Sequence, residues 1–121
     1  MTLMQMFNEI EVYHKKLGYN YTESTDYERM TAIRNAGLAL YQEVSELVDS
    51  FPWKPWRNIE NQPFDHKNAV MEIVDILFFL GGIMEAAAIS GEEVQIMFNK
   101  KMMENFSRIE RGYNNKPEER G

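Results

Sequence analysis

Apolar residues recur at helical spacing along most of the chain. In residues 3–17 they fall at Leu3, Met6, Phe7, Ile10, Tyr13 and Leu17, the one-sided stripe of an amphipathic helix, which Gly18 stops. A polar turn follows over 18–24. Thr25-Asp26-Tyr27-Glu28 then reads as a capping box opening a second helix. Its stripe runs through Ile33, Gly37, Leu40, Val44, Leu47, Val48 and Phe51, and Pro52 is expected to end it. Asp65 stands where it can cap a third helix, from His66 to about Ile89. Ser90-Gly91-Glu92-Glu93 combines a stop with a second capping box, so a fourth helix is expected from Glu92 to about Arg111, closed by Gly112. No segment alternates with the period of a strand, and no repeat occurs. The pattern predicts an all-α four-helix bundle, one domain over residues 1–113 with a polar tail over 114–121.

The third helix is unusual in being apolar nearly all round. Ile73, Leu77, Leu80 and Met84 form one stripe, and Ile76, Phe79 and Ile83 lie beside Glu72 and Asp75, so the helix is expected to be buried. Residues 69–89 have the length of a membrane span but carry Glu72, Asp75 and Glu85, each costly in lipid. The first residues lack a basic stretch followed by an apolar run, which argues against a signal peptide. A cytoplasmic protein is expected, bacterial or acting in a host cytoplasm if phage-encoded. With 44% hydrophobic and 26% charged residues the chain has a globular composition. Its formal net charge of −6 disfavours a nucleic-acid polymer as partner, and the absence of cysteine removes disulfides and thiolate metal sites. A homo-oligomer, dimer or tetramer, would cover the third helix.

Two acidic pairs carry the clearest chemistry. Glu43 and Glu46 lie in the second helix and Glu72 and Asp75 in the third, each pair spaced i, i+3 so that one turn presents both carboxylates on one side. Carboxylates in an apolar helix are costly unless paired or coordinated, and between His66 and Lys100 the only Lys or Arg is Lys67. A divalent ion shared by Glu43, Glu46, Glu72 and Asp75 is the economical solution. All-oxygen ligands select Mg²⁺, with Mn²⁺ as a substitute. The competing reading is one or two protonated buried acids and a surface pair.

Two further elements suggest an anionic ligand. On the fourth helix Lys101, Asn105 and Arg108 follow one another at i, i+4, i+7, continuing a face that begins with Val94, Met97 and Phe98. The same cations also suit a solvated helix C-terminus. Residues 52–64 make a connection of 13 residues, beyond the ~2–8 usual between bundle helices. It holds Trp53-Lys54-Pro55-Trp56-Arg57, in which tryptophans can stack on a base and cations can touch phosphates. Those tryptophans can equally plug the end of a bundle. Gln5 and Asn8, at i, i+3 on the first helix, have amides suited to a base edge. His14 and His66 have no ligand spacing and are read as structural.

Together these residues resemble the all-α nucleoside triphosphate pyrophosphatases, the MazG-like superfamily. ExxE at 43–46 followed by ExxD at 72–75 resembles its acidic motifs. Trp53-Lys54-Pro55-Trp56 resembles a segment of the dimeric dUTPase and phage dCTP pyrophosphatase branch. Lys101, Asn105, Arg108 and Gly112-Tyr113 resemble the C-terminal motif of that branch, and Gln5-Met6-Phe7-Asn8 its N-terminal Q-x-x-N element. The resemblance implies hydrolysis of a dNTP, dUTP or dCTP favoured, to dNMP and pyrophosphate. It implies Mg²⁺ on Glu43, Glu46, Glu72 and Asp75, with Glu43 or Glu46 as the base toward water. It further implies that Lys54, Lys101, Arg108 and Tyr113 hold phosphates, and that Gln5, Asn8, Trp53, Trp56 and Asn105 face the nucleoside. The chain departs from many dimeric dUTPases in lacking extra helices between the second acidic motif and the C-terminal motif. A purine (d)NTP pyrophosphatase of the same superfamily, or a non-enzymatic metal-binding helical module, are the alternatives.

Overall fold

Helices begin where the local sequence supplies its own caps. The computed structural model describes residues 1–58, 60 and 62–112, and these form four α-helices with no strand among them. They are α1 (Leu3–Lys16), α2 (Asp26–Val48), α3 (His66–Ala86) and α4 (Gly91–Glu110). At α2 the Thr25 hydroxyl accepts from the Glu28 N–H at 3.1 Å while Glu28 Oε1 accepts from the Thr25 N–H at 2.8 Å. Ser90 and Glu93 make the same reciprocal pair at α4, and Thr2 and Gln5 make a third at α1. Asp65 Oδ1 accepts from the Asn68 N–H at 3.0 Å, capping α3.

The helix ends need correction. α2 stops at Val48, four residues before Pro52, because the Ser50 N–H turns back to the Leu47 carbonyl and the Phe51 N–H to that of Val48. α3 stops at Ala86 rather than near Ile89. There the Ile89 N–H reaches the Met84 carbonyl at 2.8 Å and the Ala88 N–H that of Glu85 at 3.2 Å, with Ala88 at φ 58°. This is a Schellman stop with alanine in the left-handed position usually given to glycine. Gly18 fills the equivalent position after α1, at φ 98°.

Packing divides the chain into two units, Met1–Ile89 and the segment from Ser90 onward. In the first unit α3 is the shared element, lying along much of α2 and, over a shorter stretch, against α1. Phe7 and Ile10 of α1 meet Met84 of α3 in a small core, with Leu77 and Phe78 packed against it. Gly81 permits this approach, since a Cβ there would stand 2.9 Å from Ile10 Cγ2. His14 Nδ1 lies 2.7 and 2.9 Å from the two oxygens of Glu85, tying α1 to α3 in a part-buried setting ringed by Tyr13, Tyr19 and Phe78. Desolvation raises the Glu85 pKa, and the contact with His14 opposes that shift.

The expectation that α3 is buried all round does not hold within the first unit. Met71 is 54% exposed and Ile73 49%, and Val70, Val74 and Leu80 are also open. α1 and α2 cover the face carrying Ala69, Gly81, Met84 and Ala86 and leave the rest. No residue of α2 is buried. The second unit holds α4, on which Val94, Met97, Phe98, Phe106 and Ile109 are exposed. Among the described residues no single helix is long and apolar enough to cross a membrane.

Candidate functional site

The i, i+3 pairs on α2 and α3 meet where those two helices run side by side. Glu43, Glu46 and Glu72 each offer a carboxylate oxygen, and the three oxygens lie within 4.8 Å of one another. All three residues are half-buried. Glu43 Oε2 and Glu72 Oε2 are shielded from solvent and have no hydrogen-bond partner among the described residues. The Glu43 carboxyl is pushed up to about 7, first by its hydrogen bond with Glu72, then by desolvation and by repulsion from Glu46, Glu72 and Asp75. Asp75 stands outside the 4.8 Å group yet is close enough to raise Glu43.

This donor set fits a hard divalent cation. The ligands are all oxygen, and two of their atoms are shielded from solvent without a hydrogen-bond partner among the described residues. No other group of three or more acidic or His side chains among the described residues has this spacing.

One turn beyond Glu46, Asp49 begins the tryptophan connection. Trp53 Nε1 donates to Asp49 Oδ1 at 2.9 Å, which fixes the indole beside the end of α2. Trp56 packs edge-on against Trp53, with ring centroids 5.8 Å apart, and remains 71% exposed. Lys54 Nζ lies 5.9 Å from the Trp53 ring centre. Asp49, Phe51, Pro52, Trp53, Lys54, Arg57 and Gln62 line a cleft of about 230 Å³. Trp53 and Lys54 therefore share a recess with a second cation, while Trp56 stands at its side.

Of the other expected residues, Gln5 has its Oε1 engaged by the Thr2 N–H at 2.7 Å in the α1 capping box, leaving only its amide nitrogen for a ligand. Asn8 is exposed. On α4, Lys101, Asn105 and Arg108 follow one another at helical spacing as expected, and Arg108 forms an ion pair with Glu104 one turn earlier. Tyr113 lies outside the described residues.

Sequence reasoning missed the group that closes the base of the connection. Ser50 is buried, 4% exposed, and its Oγ accepts from Asn68 Nδ2 at 2.7 Å. The Asp65 N–H donates to the Ser50 carbonyl at 3.0 Å, and the rings of Phe51 and Phe64 stack 4.5 Å apart. The available signal was a phenylalanine at each end of the connection, beside Ser50 and Asp65.

A family model described as dUTPase matches residues 3–83. The match takes in both acidic pairs and the tryptophan connection, and ends before Lys101, Asn105 and Arg108. No curated protein and no solved structure matches the chain.

Proposed function

The chain belongs to the all-α dUTPase family, and from that premise we propose that it is a Mg²⁺-dependent nucleoside triphosphate pyrophosphohydrolase. The favoured substrates are dUTP and dCTP, each converted to the monophosphate and pyrophosphate. One observation carries the reading: three carboxylates from two helices converge within 4.8 Å, with two shielded oxygens that have no partner outside the cluster, in a chain of this family. Glu43, Glu46 and Glu72 would hold the cation, with Asp75 completing the acidic set. When bound, the ion supplies Lewis-acid polarisation of phosphate oxygens and offsets charge on the leaving pyrophosphate. Mn²⁺ is the expected substitute.

The protein's own groups do the rest. Glu43 or Glu46 orients water and accepts its proton as the oxygen attacks the α-phosphorus. The bond from that phosphorus to the bridging oxygen breaks, and pyrophosphate leaves with the bonding pair. Lys54, Lys101, Arg108 and Tyr113 are the proposed phosphate ligands, which makes their contribution one of positioning. Trp53 and Trp56 offer ring faces to the base, and Asn8, Asn105 and the free amide nitrogen of Gln5 offer polar contacts to the nucleoside. A net charge of −6 does not oppose a triphosphate that arrives with its cation.

The chain is further proposed to work as a homo-oligomer in the cytoplasm. The open apolar side of α3 supports the assembly, since such a surface is rarely left to water. Pyrophosphate release across all dNTPs with Mg²⁺ tests the activity. Turnover is expected to be highest with dUTP or dCTP and abolished in Glu46→Gln, with the helical signal retained. No release from any dNTP would refute the activity, and a purine preference would move the substrate class.

A further inference from the structure

Ser50 follows Glu46 by four residues, and Asn68 precedes Glu72 by four. The Asn68 Nδ2 to Ser50 Oγ hydrogen bond therefore joins the two chain segments one helical turn beyond the point where they bring Glu46 and Glu72 together. The same junction is the neck of the 52–64 connection. Beside that bond, the Asp65 N–H reaches the Ser50 carbonyl, and Phe51 stacks on Phe64 with ring planes 13° apart. Ser50 is the buried polar residue among the described residues, and its bond with Asn68 lies part-buried at the junction.

We infer that Ser50 and Asn68 are positioning residues that couple the carboxylate site to the tryptophan connection. The inference rests on the metal-site reading given above. Asn68 lies one turn before Glu72 on α3 and Ser50 lies two residues past the end of α2, so their bond ties the acid-bearing turn of α3 to the chain just after α2. A cation shared by carboxylates of two helices draws on their separation directly. On either side of Ser50 stand Asp49, the C-cap of α2, and Trp53, joined at 2.9 Å, so the indole is tied to the end of α2. Binding at the acids thereby sets the attitude of the tryptophans, and a base held by the tryptophans strengthens cation binding by the same factor.

Both tryptophans of the chain lie in this connection, so tryptophan emission, excited selectively over the six tyrosines, reports on it alone. The full chain without nucleotide is titrated with Mg²⁺, binding being followed by calorimetry and the connection by tryptophan emission. The wild type is expected to bind Mg²⁺ with a matching shift in emission. Ser50→Ala and Asn68→Ala should still bind, with dissociation constants raised by up to about tenfold, and should lose most of the emission response. Ser50→Thr, which keeps the hydroxyl, should restore it. Variants that respond like the wild type would overturn the inference. A wild type that binds Mg²⁺ with unchanged emission would overturn it too, leaving the metal site intact. A wild type that binds no Mg²⁺ would remove both.

Discussion

Ala88 holds a backbone conformation that costs an L-residue about 1–2 kcal/mol and glycine little. Ala88→Gly is therefore expected to stabilise the fold by roughly 0.5–1 kcal/mol after the greater freedom of unfolded glycine is subtracted, as read from the urea midpoint. At Glu43 the consequence is one of pH. Its carboxyl rises from 4.5 to about 7 on folding, so the stability it contributes is complete below the lower value and lost as pH rises through the upper one. Mg²⁺ competes with the same proton. The increase in melting temperature given by Mg²⁺ should be larger at pH 8 than at pH 6, and equal increases would argue against coordination by Glu43. The i, i+3 spacing made the acidic pairs legible in the sequence. The nearness of Glu43 to Glu72 was not, because it depends on how two helices register against each other.

At the scale of elements, starts were more legible than stops. Capping boxes are local, four residues long, and act wherever they occur, so Thr25 and Ser90 marked α2 and α4 correctly. The stop of α3 depends on Ala88 adopting a left-handed conformation that its side chain does not favour, and no local residue announces it. α2 stops four residues before Pro52, in a turn closed on the carbonyls of Leu47 and Val48. The contact between α1 and α3 rests on Gly81, whose place in an apolar run reads as a weak helix position. Gly81→Ala should gain helix propensity yet push against the branched side chain of Ile10, with Phe7 and Glu85 also near. The net loss is expected to be about 1–2 kcal/mol in urea unfolding, the overpacking cost exceeding the propensity gain. A raised midpoint would mean that α1 yields without cost.

For the whole molecule, the question is what covers the apolar side of α3. Periodicity identified the helix as one that water should not touch, and within the first unit only the face occupied by α1 and α2 is covered. Light scattering after size exclusion should give a mass of at least two chains, each 14.3 kDa. Leu80→Glu, a charge on the open side, should shift the mass toward one chain while far-ultraviolet dichroism stays helical. A wild-type mass of one chain would leave the open face for another partner. The all-α class was legible from periodicity alone. The partial burial of α3 was not, since a sequence pattern records which residues avoid water and is silent on whose chain shelters them.

The three capping boxes have a consequence for the order of events as the protein forms. Each is closed by residues three apart in sequence, so α1, α2 and α4 can stabilise their first turns before any distant part of the chain arrives. Loops this short close in well under a microsecond, whereas assembly of chains depends on their concentration. Refolding should therefore recover most of its helical signal in a fast phase whose rate ignores protein concentration. A slower phase should follow that accelerates as the protein is made more concentrated.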